Sequence, residues 1–272
     1  MKLRHLNKEL LVKPGTRVKL SAVDPEDTAG VKDKEEALKV VERNRLKLEE
    51  MQTLLAAENK RSLLIVLQGM DASGKDGTIR HVMNGINPQG CEVTSFKVPN
   101  AEDLDHDFLW RIHKAVPPKG DIGIFNRSHY EDVLVVRVHS LVPRDVWSER
   151  YKQINRFEQI LSENHVKILK FFLHISKEEQ KKRLRERLAD PAKNWKMSLQ
   201  DLKERELWSD YMEAYEDVLT ECSTERAPWF IIPADNKWFR NLAVSQIIIE
   251  ALESLDMKYP TLSFDPSKIV VK

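Results

Sequence analysis

Five short apolar runs alternate with longer stretches of helical periodicity, and this alternation restricts the fold more than any other feature of the chain. The runs are LLIVLQ (63–68), EVTSF (92–96), DIGIF (121–125), KILKFFLH (167–174) and WFII (229–232). Helices are expected over 75–84, 104–115, 144–164, 177–189, 199–221 and 237–255. Short apolar strands joined by helical crossovers predict an α/β fold: a five-stranded parallel sheet flanked by helices on both faces. Two helix starts carry a capping-box pattern, Ser176-x-x-Glu179 and Ser198-x-x-Asp201. Ahead of the first strand lies an irregular arm broken by Pro14, Gly15, Pro25 and Gly30. It leads to an amphipathic helix over 32–59, with Leu38, Val41, Leu46, Leu48, Met51, Leu54 and Leu55 near helical spacing. The division is therefore 1–60 (arm and helix), 61–260 (one domain) and 261–272 (tail).

The first apolar run ends at Gly69-Met70-Asp71-Ala72-Ser73-Gly74-Lys75, which matches G-x-x-x-x-G-K between a strand and a helix. Glycines let the backbone wrap so that its N–H groups, from Gly69 through Met70, Ala72, Ser73 and Gly74 to Lys75, face phosphate oxygens. The helix start adds partial positive charge and Lys75 a full one. The next position, normally Ser or Thr for Mg²⁺, is Asp76. A carboxylate beside phosphates is repelled unless a metal lies between them. Asp71 and Asp76 together therefore point to a magnesium-rich site handling a heavily charged substrate. The plainer reading of Asp76 is a first-turn acid favoured by the helix dipole.

A second strand end carries Asn126-Arg127-Ser128-His129-Tyr130-Glu131-Asp132. Arg127 there faces the crevice where open α/β sheets bind ligands, whereas His129 reads as a packing residue. Further on, Arg183 and Arg187 lie four apart on one helical face, followed by a break holding Lys193 and Lys196. A helix-loop-helix with aligned cations over 177–210 suits a kinase lid, which closes and neutralises phosphate charge. Glu178, Glu179 and Glu186 are available to pair those bases, so alone the run would read as a solvated face. Trp147, Trp195 and Trp208 are open to two readings, base stacking or core.

Lys+Arg total 44 against 43 Asp+Glu, so a net charge of +1 gives no sign of a nucleic-acid partner, and anion binding must come from local charge placement. No apolar run approaches the ~20 residues that span a bilayer. The opening MKLRHLNKELLVKPG lacks a signal-peptide core, and the two cysteines, Cys91 and Cys222, make no disulfide framework. A cytoplasmic protein without membrane partners is expected.

From about Asp27 to Ile269 the chain resembles the second polyphosphate kinase family. The segments that carry this are GMDASGKDGTIRHV (69–82), NPQG (87–90), FNRSHYEDVLVVRV (125–138), LKFFLHISKEEQKKRL (169–184), DPAKNWK (190–196) and APWFIIPADNKWFRN (227–241). The resemblance implies a P-loop kinase fold similar to thymidylate kinases, with a helical lid. It implies transfer of the terminal phosphoryl of inorganic polyphosphate to ADP and AMP, reversibly, with Mg²⁺. Asp71, Lys75, Arg127, Arg183 and Arg187 would be the catalytic set, and Asp71 would hold the metal. Lys75, Asp76, Arg80, Lys193 and Lys196 would line the phosphate channel. Asn126, Arg127, Ser128 and Tyr130 would hold an adenine nucleotide, with guanine as a further candidate base. Many members have Asp where this chain has Asn126; Glu131 would stand in as metal ligand. A homo-oligomer is expected. The rivals are an ATP-dependent nucleoside monophosphate kinase of the same fold and a non-enzymatic anion-binding module.

Overall fold

Apolar side chains on both sides of each central strand require cover on both sides, and the chain supplies it. In a computed structural model, which describes Leu3, residues 5–265 and residues 268–269, the strands are β1 (Ser62–Gln68), β2 (Cys91–Ser95), β3 (Ile122–Asn126), β4 (Val166–His174) and β5 (Trp229–Pro233). They form one sheet, ordered β2-β3-β1-β4-β5, with every pairing parallel. Leu63, Ile65 and Leu67 enter one core cluster while Leu64 and Val66 enter the other, as the two-residue strand period demands.

The helices are α1 (Leu6–Leu10), α2 (Lys34–Glu58), α3 (Lys75–Val82), α4 (Ala101–Leu104), α5 (Trp110–Lys114), α6 (Val135–Val138), α7 (Arg144–Glu163), α8 (Lys177–Ala189), α9 (Leu199–Glu206), α10 (Trp208–Cys222) and α11 (Lys237–Glu253). α1, α2, α3 and α11 cover one face of the sheet, and α7 and α10 the other. Among the described residues no helix is long and apolar enough to cross a membrane.

Three departures from the sequence pattern have physical causes. The stretch expected as one helix over 104–115 is two short ones, α4 starting earlier at the Asn100–Asp103 capping box. The stretch over 199–221 breaks at Leu207, because α10 buries Tyr211, Tyr215 and Leu219 against the sheet whereas α9 buries nothing. The arm is more ordered than its Pro and Gly content suggests. It forms α1, bridges Leu11 to Phe230 in antiparallel fashion, and donates Val12 N–H to Trp229 O at 2.9 Å, covering the outer edge of β5.

Helix α2 packs in the same core as the sheet, with Leu48 and Leu55 buried and Val41, Met51 and Leu54 packed against that core as expected, but Leu38 and Leu46 stay outside and other residues complete the stripe. Ala37, Val40, Asn44, Leu48, Gln52 and Leu55 are buried, while Leu38 and Leu46 are each 49% exposed. Asn44 and Gln52 are admitted because both are bonded, Asn44 to Ser245 Oγ at 3.1 Å and Gln52 to the backbone of Asn87. Of the two capping boxes, that at Ser198–Asp201 is complete. Ser176 Oγ caps Glu179 N–H at 3.0 Å, but the Glu179 carboxylate turns instead to Arg183, at 2.8 Å. Of the tail, residues 261–265 are exposed; residues 266, 267 and 270–272 lie outside the described set, as do residues 1, 2 and 4 of the arm. Both cysteines are free thiols, Cys222 buried and Cys91 partly so.

Under the sheet sits a buried polar network. Lys170, fully buried in β4, donates to Glu158 Oε2 (2.5 Å), Tyr130 Oη (2.8 Å) and Cys222 O (2.7 Å). Tyr130 Oη donates to Glu158 Oε1 at 2.8 Å, and His129 Nε2 lies 3.2 Å from the same oxygen. Burial opposes charge on Glu158, yet Lys170 and the His129 hydrogen bond outweigh it and hold its carboxyl below the usual range.

Candidate active site

Register decides which loops meet. β1 lies between β3 and β4, and Leu67 pairs with Asn126, so the turns leaving β1 and β3 emerge side by side at the carboxyl edge of the sheet. Arg127 N–H donates to Leu67 O at 3.0 Å and ties the two turns together.

The turn after β1 needs its glycines. Gly69 and Gly74 have φ of +150° and +103°. A Cβ at Gly69 would stand 2.8 Å from Leu173 O, and one at Gly74 would stand 1.9 Å from the Arg240 guanidinium. Gly74→Ala therefore meets both a positive φ and an occupied space. We expect it to lose phosphate binding, read as at least a tenfold (about 1.4 kcal/mol) weaker Kd for tripolyphosphate by calorimetry; unchanged Kd would show that the loop shape tolerates a side chain here.

Lys75 folds back over the loop, its Nζ donating to Gly69 O at 2.7 Å and Met70 O at 3.4 Å. Burial pushes its ammonium below the ordinary lysine range and nearby Arg127 adds to that, while Asp71, Glu131 and Asp76 pull the other way. Arg127 itself has φ +63°, left-handed for a non-glycine residue, a strained conformation of the kind that concentrates at binding sites. Its guanidinium bonds Asp71 Oδ1 at 2.9 Å and stands 3.9 Å from Glu131 Oε2. Burial raises the Glu131 carboxyl, opposed by Arg127 and Lys75. Asn126 Nδ2 donates to Asp76 Oδ1 at 2.8 Å.

These turns border a cleft of about 760 Å³. It collects Asp71, Ala72, Gly74, Lys75, Asp76, Arg80, Asn126, Arg127, Arg183, Arg187, Lys193 and Lys196 on one wall system. In all, nine Lys and Arg side chains face four carboxylates there, on a chain whose net charge is only +1. Such a concentration of one sign in a groove draws in and retains anions. Lys97 and Lys237 also line the cleft and were not picked out by the sequence. Lys97 follows β2 and Lys237 opens α11; their only signal was a lysine just beyond the carboxyl end of a strand.

Other side chains stand elsewhere. Ser128 and Tyr130 were expected at the nucleotide, but both are buried: Ser128 Oγ accepts from Gln68 and Tyr130 N–H, and Tyr130 belongs to the Lys170 network. The chain reverses at Arg127, which sends these two inward. Arg183 borders the cleft but its guanidinium is engaged with backbone carbonyls, Nη1 to Ala72 and Ser73 (each 3.0 Å) and Nη2 to Ala234 (2.6 Å) and Asp235 (3.0 Å). It thus clamps the phosphate loop to the end of β5. Met70 and Ser73 are buried, leaving backbone as what they offer the cleft. In the lid, Arg187 pairs with Asp201 at 3.4 Å and Lys193 with Asp190 at 2.5 Å, and Lys196 lies 3.9 Å from Asp76. Trp195 is 73% exposed, Trp147 lies under Arg137 and Trp208 packs on the core; no tryptophan lines the cleft among the described residues.

Among the described residues, no three His, Cys, Asp or Glu side chains converge as a metal cage. Mg²⁺ does not need one, since it binds through one or two carboxylates plus phosphate oxygens and water. Asp71 and Asp76, both in the cleft wall, fit that requirement, whereas Glu131 is not a wall residue.

Comparison with known proteins places the whole chain among named relatives. An AMP/ADP-polyphosphate phosphotransferase from Meiothermus ruber is 51% identical over 266 residues, 97% of this chain and 100% of the relative. An ADP-polyphosphate phosphotransferase from Rhodopseudomonas palustris is 52% identical over 226 residues, 79% of this chain and 78% of the relative. The crystal structure of polyphosphate kinase 2 from Arthrobacter aurescens TC1 superimposes with a TM-score of 0.93 at 43% identity, covering 96% of this chain and 94% of that one. The sequence profile of the Polyphosphate kinase 2 (PPK2) family matches residues 31–260, and with a parallel sheet, a phosphate loop and a cation-lined cleft in place, this chain belongs to that family.

Proposed function

We propose that this protein transfers the terminal phosphoryl group of inorganic polyphosphate to ADP and to AMP, reversibly and with Mg²⁺. It is a polyphosphate-dependent nucleotide phosphotransferase, a kinase whose relatives carry that activity in their names. The observation that carries this reading is the excess of cations around the phosphate loop, nine against four carboxylates, in a chain with almost no net charge. Acceptance of AMP as well as ADP is supported by the 51% identity over nearly the whole chain to a phosphotransferase named for both.

The protein's part is to hold two phosphate chains in line and to neutralise their charge. Loop N–H groups and Lys75 receive the phosphoryl being moved. Arg127, at the end of β3, faces the acceptor phosphate across Asp71. Arg80, Arg187, Lys193 and Lys196 track the remaining polyphosphate, the lid cations exchanging Asp201, Asp190 and Asp76 for phosphate oxygens. Arg183 acts by holding the loop in shape. Mg²⁺, held by Asp71 with Asp76 beside it, would screen the repulsion between donor and acceptor oxygens. Glu131 supports Arg127 by charge, and no side-chain nucleophile is required. Use of guanine nucleotides, self-association and a cytoplasmic location belong to the same proposal; GDP turnover, sedimentation and cell fractionation read each of them.

The test is nucleotide product analysis with polyphosphate, AMP and Mg²⁺ and no ATP. ADP and then ATP are expected, with turnover abolished by a chelator and restored by Mg²⁺. Turnover of ADP alone would remove the AMP step. Silence with both, alongside activity with ATP as donor, would move the chain to the monophosphate-kinase reading.

A further inference from the structure

Arg240 sits one turn into α11, three residues beyond Lys237, and is only 2% exposed. Its Nη1 reaches Ser73 O at 3.4 Å, and its Nε and Nη2 meet Asn241 Oδ1 at 3.2 and 2.9 Å. The guanidinium fills the space a side chain at Gly74 would need and lies within 3.3 Å of where one would start at Gly77. Among the described residues no carboxylate pairs with it. Its charged neighbour is instead Arg183, itself 8% exposed and clamped to the same loop. Burial, and then Arg183, push the Arg240 pKa down to about 10.

A buried arginine is ordinarily paired, because an unpaired charge in the interior is costly. Here two guanidiniums and the positive end of α3 converge on one backbone turn, and of the two only Arg183 has a carboxylate partner, Glu179, bonded through Nε at 2.8 Å. That arrangement is unfavourable until an anion occupies the loop, and favourable once it does.

We propose that Arg240 is a positioning residue for the phosphate loop: without touching the substrate, it sets the backbone at Ser73–Gly77 and places a fixed positive charge behind the bound phosphate. The identity of the anion as polyphosphate rests on the function proposed above.

The test compares Arg240→Met and Arg240→Lys in the full chain, by tripolyphosphate calorimetry, steady-state KM and kcat, and the thermal midpoint without ligand. Arg240→Met should raise Kd and KM for tripolyphosphate about tenfold, about 1.4 kcal/mol. Its unliganded midpoint should be unchanged or higher, since a buried unpaired charge has gone. Arg240→Lys should recover most of the affinity. A lower midpoint with unchanged Kd would make Arg240 a packing residue and overturn the proposal, as would a lysine variant no better than methionine. If the methionine variant does not fold, Arg240→Gln takes its place, with a tenfold gap to lysine supporting the proposal and equal affinities overturning it. Wild-type protein that binds tripolyphosphate but turns over only with ATP would sink the donor assignment and leave the Arg240 comparison intact.

Discussion

Lys75→Ala will lose transfer activity by about 10²–10³-fold while the protein remains folded, the magnitude expected when one preorganised donor is removed from developing charge. Lys75 Nζ is the one full positive charge the loop itself carries, and without substrate it rests on Gly69 O and Met70 O. Those carbonyls are weak partners for an ammonium that burial and Arg127 already make less stable as a cation. An arriving phosphate offers oxygens that the ammonium prefers, so the movement costs little and is realised most fully as charge builds up in transfer. Alanine removes that charge and leaves the loop's N–H groups. Single-turnover transfer from polyphosphate to ADP measures the loss, and circular dichroism checks the fold, whose thermal midpoint should shift by roughly a few degrees at most. A variant retaining more than about a tenth of wild-type rate, outside the range one lost donor should leave, would transfer the role to Arg127 or Lys237. Raising pH acts in the same direction as the mutation. Because the Lys75 pKa is lowered, its charge is lost at a lower pH than for an ordinary lysine, so activity should decline earlier on the alkaline side than free lysine would dictate.

Much of the fold is legible in the sequence. The five strands stand where the runs placed them; β1, β3, β4 and β5 are buried almost throughout and so appear as near-continuous apolar runs, whereas the edge strand β2 is partly exposed and reads as a mixed run. The phosphate loop was equally legible: its glycines and lysine sit next to each other in sequence, so local chemistry and local geometry coincide. What stayed hidden depends on contacts between distant segments. Nothing in the spacing of Arg183 shows that its fork is occupied by carbonyls of residues 72, 73, 234 and 235. The arm's cover over β5 depends on Trp229 and Phe230, more than 200 residues away. Tyr130 was expected at the nucleotide with its neighbours Asn126, Arg127 and Ser128, yet the left-handed turn at Arg127 sends it into the core. Lys170 did leave a trace, a cation in the middle of the run KILKFFLH, but its three partners lie on α7, on the turn after β3 and at the end of α10.

That lysine should have the largest effect on stability. Lys170→Met will destabilise the fold by about 3–5 kcal/mol, the range for removing one member of a buried ion pair. At 272 residues this corresponds to a fall in thermal midpoint of roughly 10 °C or more. Methionine fills the volume, so the loss arises from what is left behind: Glu158 loses its counter-charge while 2% exposed, and Cys222 O loses its donor. The pH dependence separates this cause from simple misfit. In the wild type the folded-state pKa of Glu158 is depressed, so its contribution to stability is present above the unfolded value near 4.5 and disappears as pH falls through the folded value. Without Lys170, burial dominates and the folded pKa rises above the unfolded one. The carboxylate then destabilises the fold at neutral pH, and this penalty is relieved as acid protonates it. The gap in midpoint between wild type and Lys170→Met should therefore be widest near pH 7 and narrow towards pH 5. Adding Glu158→Gln should restore part of the stability at pH 7 and flatten the dependence, because the glutamine can still accept from Tyr130 Oη without carrying charge. A gap that stays constant with pH, and is not reduced by the second substitution, would mean that Lys170 acts by packing alone. The same network includes His129 and Tyr130, two and three residues beyond Arg127, so a loosened Lys170→Met protein should also bind its acceptor nucleotide more weakly, and the glutamine partner should recover that binding in step with the stability.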